Sequence, residues 1–318
     1  MERFLFSLAM FALVFCISAF PAAADDFAQL EFVDTGDSIT VSACDAGCEG
    51  VLSIPAEING KAVTTIGSGA FTGCEYIEEI ILPESIELIE PYAFYGCSAL
   101  KKVNLPFTPE TYGEGLFSGC SALEQVSLPE GLEAISDNMF YGCSSLQRIS
   151  IPAGVKSIGD NAFYGCESLR VIVLPTELDE ISRNAFQNCS ELFFVRMPKN
   201  ITYIGENAFS GCTALRFISL PEDISQISEG CFYACESLSR ISIPRSVIEI
   251  KPSAFSECSS LASLKFEHDS ADVLVIAEEA FMLSSMLETS ISCPDSSKVN
   301  GAIKDYAWEY SGRIVEYK

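Results

Sequence analysis

The sequence predicts a repeat solenoid, and three observations predict that class. Cysteine recurs every 23 residues without a slip, at Cys74, Cys97, Cys120, Cys143, Cys166, Cys189, Cys212, Cys235 and Cys258, which is an internal repeat of the length that stacked architectures use. With each Cys as position zero, apolar residues return at positions 3, 6, 8, 12 and 15, followed by a small residue at 19 and Phe at 20. Between Cys143 and Cys166 these are Leu146, Ile149, Ile151, Val155, Ile158, Ala162 and Phe163. One such unit has no second layer to cover its apolar side chains, so copies must stack on one another.

Within the unit, Ile149-x-Ile151 alternates with period two. Pro152 then has no N–H for a neighbouring ladder, so a very short strand is expected to end there while the rest of the unit turns back. Phe71, Phe94, Phe117, Phe140, Phe163, Phe186, Phe209, Phe232, Phe255 and Phe281 form one column, the expected spine, each ring buried between its neighbours. The cysteine column stacks at about 4.8 Å with parallel Cβ vectors. A disulfide needs Cβ atoms about 3.8 Å apart and aimed at each other, and zinc needs four ligands converging on a point. Free thiols acting as small buried hydrophobes are therefore expected. Cys231 stands at the small position 19, and Cys293 is read as a last buried strand residue. Cys44 and Cys48 in "ACDAGC" lie outside the ladder, and the sequence leaves a disulfide between them open.

The pattern "L-x-x-I-x-L-P-x-x-I-x-x-I-x-x-x-A-F-x-G-C" resembles the BspA-like subclass of leucine-rich repeats, over roughly Val51 to Pro294. "SIPAEINGKAVTTIGSGAF", from Ser53 to Phe71, resembles that family's usual opening unit. The resemblance implies a right-handed coil with a short-stranded parallel sheet on one face. It also implies secretion or surface display, and binding, as in adhesion or host and matrix interaction, rather than catalysis.

Along the chain, the apolar run Phe4 to Phe20 followed by Ala22-x-Ala24 reads as a signal peptide over 1–24, cut before Asp25. The expected location is secreted, periplasmic or cell-surface, with no membrane insertion after cleavage. An N-terminal cap over 25–50, a solenoid over 51–283 and a C-terminal cap over 284–318 follow, since terminal coils would otherwise expose apolar faces. In the last, Asp295 offers a helix start, Ile303, Tyr306, Ala307 and Tyr310 one face, and Gly312 a stop. Trp308 is read as part of this capping helix. The third unit puts Pro109 and Tyr112 at aliphatic positions and Leu116 at the small one, so its turn should be irregular. The tenth, "KFEHDSADVLVIAEEAF", is three residues longer and has Ser284 where a Cys belongs. Its extra residues should bulge outward as a polar loop.

That loop holds the one histidine of the chain, His268, read as solvated. Triads and multi-histidine metal sites need residues that are absent, and the carboxylates Glu84, Glu87, Glu222 and Asp223 fall at solvated turns rather than in a sheltered cleft. Catalytic, metal and cofactor chemistry are therefore not expected. A net charge of −25, from 44 acidic and 19 basic residues, argues against nucleic acid and anionic membrane as partners.

Function then falls to the outward positions 4, 5 and 7. The first coils carry Glu78, Glu79 and Ile81, then Lys101, Lys102 and Asn104; later coils carry Arg148, Arg170, Val171, Val173, Phe193, Phe194, Arg196, Arg216, Phe217 and Arg240. Arginines interleaved with Phe and Val, without an acid, run against the composition. Stacking places Arg170, Phe193 and Arg216 in one column about 4.8 Å apart, within reach of cation–π contact. Two readings stay open. The face binds an acidic extracellular or surface protein or glycan, or the chain is a passive structural protein of the cell envelope whose Arg and Phe merely cover the sheet.

Overall fold

A computed structural model of the chain describes residues 29–105, 112–268, 274–284 and 290–292. The signal peptide, the capping helix and Cys293 lie outside them. The described chain is a β-solenoid of about ten turns with parallel strands, and no helix forms among the described residues.

The inward positions all face one continuous core, and the Phe rings from Phe71 to Phe255 are completely buried. Successive rings stack with centroids 5.1 to 5.7 Å apart. Inter-coil backbone bonds hold the column: Phe163 N–H donates to Ala185 O at 2.8 Å, and Phe186 N–H to Ala208 O at 2.8 Å. Cys231 supplies the equivalent carbonyl to Phe209, as a residue in the alanine position must.

The sheet face is less regular than the alternation suggests. Strands pair at Glu49–Ser53, Tyr76–Ile81 and Lys102–Val103, at Val171–Val173 and Phe194–Arg196, and at Arg240–Ile243, Ser263–Phe266 and Ser290–Ser292. Between these blocks the coils stack without a ladder, and the strand expected at Ile149-x-Ile151 does not form.

A second parallel ladder runs where the chain was expected only to turn. Ala134–Ile135, Ser157–Ile158, Glu180–Ile181 and Tyr203–Ile204 pair side by side, with Ile158 opposite Ile135 and Ile181. Each contributes one buried isoleucine. At the N-terminal end, Leu30–Asp34 and Ile39–Cys44 form an antiparallel hairpin whose second strand joins Lys61–Ile66 in parallel, and Asp34 accepts the Lys61 ammonium at 2.6 Å.

In the third unit Tyr112 and Leu116 are both buried, so the bulky substitutes fill the core. In the tenth unit the expectation for His268 is overturned. Its ring is fully buried, Nε2 lies 2.6 Å from Val247 O, and Phe266 packs 6.1 Å away. The Val247 carbonyl gives Nε2 a partner, which offsets part of the cost of burying the ring, while Nδ1 is buried without a partner among the described residues.

Close coil approach also constrains position 16, where Gly113, Ser136, Gly159, Ser182, Gly205 and Ser228 alternate. A Cβ on Gly205 would lie 2.6 Å from both Arg183 N and Ser182 C, backbone atoms of the coil before. Gly205→Ala is expected to destabilise by about 1–3 kcal/mol, the usual cost of overpacking, read as a lower melting temperature; unaltered melting would show that the coils can separate freely.

Candidate binding face

The block Val171–Val173 and Phe194–Arg196 fixes the centre of the candidate face, with Val171 opposite Phe194, Ile172 opposite Val195 and Val173 opposite Arg196. Period two sends Ile172 and Val195 into the core and the rest outward. Val173, Phe193 and Phe217 are 48%, 45% and 43% exposed, high for large apolar side chains in a chain with so many charges to spend on its surface. Phe217 pairs with Arg240 through an isolated parallel bridge, which extends the face one coil further.

The structure brings the ten candidate residues onto one face, with a different set of contacts from the column expected. The cation–π contact is Arg240 over Phe217, 5.6 Å from the centroid, and Phe194 meets Phe217 edge to face at 6.3 Å. Position 5, rather than position 4, is therefore the aromatic column. Arg170 instead gives its Nε to Glu191 at 2.8 Å, so a carboxylate from the neighbouring turn reaches the face. Arg148, Arg196 and Arg216 have no ion-pair partner among the described residues. The first coils differ: Lys101 and Lys102 pair with Glu78 and Glu79, both at 2.8 Å, and so neutralise their end of the sheet. Val51 and Tyr76, each 62% exposed there, were not singled out by the repeat, because the first coil departs from its register.

The cysteine column is chemically quiet. Cys120, Cys143, Cys166, Cys189, Cys212, Cys235 and Cys258 are buried free thiols. Each also does something the sequence did not announce: its S–H donates to the carbonyl of the Phe 26 residues earlier, as Cys166 does to Phe140 O at 3.3 Å and Cys189 to Phe163 O at 3.2 Å. Burial pushes these thiols well above their usual range. Glu84, Glu87, Glu222 and Asp223 are exposed, and no group of three or more His, Cys, Asp or Glu among the described residues is placed to hold a metal. No described helix is long and apolar enough to cross a membrane.

This geometry meets its relatives at the level of the family. The BspA type leucine-rich repeat region matches residues 64–193 and 179–314, with six copies, and the chain belongs to that family. A leucine-rich repeat protein from Bacteroides ovatus is 23% identical, covering 91% of this chain and 98% of its own, with a TM-score of 0.62. A leucine-rich cell surface protein from Faecalibacterium prausnitzii is 23% identical over 86% of this chain and 96% of its own, with a TM-score of 0.42. The pneumococcal vaccine antigen PcpA is 20% identical over 91% of this chain and 97% of its own, with a TM-score of 0.45. No curated protein matches the chain.

Proposed function

We propose that the protein is an exported or surface-displayed binding protein, without catalytic chemistry, whose sheet face recognises an acidic or carboxylate-bearing protein or glycan. One observation carries the reading. Arg196 and Arg216 stand without ion-pair partners among the described residues, beside exposed Phe193, Phe217 and Val173, on a chain of net charge −25. Arginine and aromatic residues are the types that dominate binding energy at interfaces, and guanidinium groups bind carboxylates in a bidentate fork. The acidic surroundings would repel the same ligand elsewhere on the surface, which confines it to this face. The apolar run from Phe4 to Phe20 and Ala22-x-Ala24 support export.

Binding of hyaluronan and of poly-L-glutamate, measured by interferometry against neutral dextran, tests the chemistry. Binding of a carboxylate polymer is expected to weaken steeply as salt rises, since exposed charges more than about 10 Å apart are screened at 0.1 M. Equal retention of dextran, or retention indifferent to salt, would contradict the reading.

A further inference from the structure

The hairpin end of the solenoid holds a cluster that neither the binding face nor the cysteine column uses. Cys44 ends the hairpin's second strand, and Cys48 precedes the strand Glu49–Ser53. The loop between them is held by its own hydrogen bonds: Asp45 accepts Gly47 N–H at 2.7 Å through its carboxylate and Cys48 N–H at 3.0 Å through its carbonyl. That turn brings the two sulfur atoms to 2.8 Å, well inside ordinary sulfur contact, though not to the roughly 2.05 Å of a bond. Cys74 completes the cluster for a topological reason. Every later column cysteine donates to a Phe carbonyl of the coil before, but Cys74 belongs to the first coil and has the hairpin in that place. Its sulfur lies 3.7 Å from Asp45 O and 3.9 Å from Cys44 O. Cys44 is half-buried, whereas Cys48 and Cys74 are enclosed, so solvent reaches the group through Cys44.

We propose that Cys44, Cys48 and Cys74 are an oxidation site, in which Cys44 and Cys48 form a disulfide and Cys74 can take it over, tying the hairpin to the first coil. The reading is independent of the sheet face. With a small external disulfide such as oxidised glutathione, the Cys44 thiolate attacks one glutathione sulfur and expels a glutathione thiolate. Cys48 then attacks the Cys44 sulfur and expels the second. Two protein thiols are oxidised, and one glutathione disulfide is reduced to two thiols. In the exchange, the Cys74 thiolate attacks the Cys44 sulfur, the Cys44–Cys48 bond breaks, and Cys48 leaves as thiolate, so the number of disulfides is unchanged. Cys44 takes the first step because it is the most exposed thiol of the three, although the neighbouring Cys74 pushes it above its usual range; Cys74, which the Cys44 thiol pulls below its usual range, is the readier thiolate for the exchange. The column from Cys97 to Cys258 cannot follow, because its thiols are buried and directed at carbonyls.

The purified full chain is incubated with oxidised glutathione, trapped with N-ethylmaleimide in denaturant, and mapped by mass spectrometry beside Cys48→Ser and Cys97→Ser. The expected result is a loss of two alkylatable thiols per chain, with a Cys44–Cys48 link in the wild type and in Cys97→Ser. Cys48→Ser is expected to give a Cys44–Cys74 link. Full alkylation of all three thiols after oxidation, or a first disulfide within the column, would overturn the site. A Cys48→Ser chain with native circular dichroism and no Cys44–Cys74 link would overturn the role of Cys74.

Discussion

Raising the pH should unfold this protein abruptly between about pH 9 and 10 under reducing conditions. Burial pushes the thiols of Cys120, Cys143, Cys166, Cys189, Cys212, Cys231 and Cys235 above their usual range, and that of Cys258 to about 12. In the unfolded chain a cysteine titrates near about 8.5. The folded state therefore holds more protons than the unfolded state once the pH passes that value. Stability is fully present below it and falls as the pH rises toward the folded values. Each such thiol costs about 1.4 kcal/mol per pH unit, so the group removes roughly 11 kcal/mol by about pH 9.5, comparable with the ~5–15 kcal/mol that holds a typical domain. Circular dichroism against pH measures it. A flat signal to pH 11 would mean that the column is not buried as thiols.

Removing a central ring should cost several kcal/mol at neutral pH. Phe163 stacks on Phe140 and Phe186 at 5.2 Å on both sides, with interplanar angles of 12° and 2°. Phe163→Ala deletes a fully buried ring and leaves a cavity that the neighbouring coils cannot fill, because each is held in register by its own hydrogen bonds. The expected loss is about 3–5 kcal/mol. In a solenoid each coil touches only its neighbours, so a break in the middle separates the stack into two shorter ones that unfold at different temperatures. Calorimetry is expected to show a lowered and split transition. An unchanged melting temperature would remove Phe163 from the core.

These features were legible because a repeat states inside and outside many times over. Position 20 is Phe in every described coil from Phe71 to Phe281, and nothing but a stacked core explains that. The second ladder was not legible, since a strand such as Ser157–Ile158 is too short to show a period. Nor was the thiol donation, because cysteine as a small hydrophobe and cysteine as a donor to a carbonyl have the same spacing. For the binding face, the repeat correctly put Arg170, Phe193 and Arg216 outside. It could not show that Glu191, 21 residues after Arg170, reaches across from the adjacent turn, because the lateral reach of a long side chain has no periodic signature. His268 was misread for a related reason: an insertion has no counterpart in other coils, so no column marks its direction.

The most direct measurement is the affinity for hyaluronan or poly-L-glutamate, whichever the wild type binds, of two double variants with native circular dichroism. Arg196→Glu with Arg216→Glu reverses two charges of the face that have no ion-pair partner among the described residues. Glu180→Lys with Glu206→Lys reverses two exposed acids elsewhere on the coils. The first pair is expected to lose at least about 100-fold, or roughly 2.8 kcal/mol, and the second to bind as well as the wild type or slightly better. Equal affinity for both variants would contradict the assignment of the sheet face as the binding site.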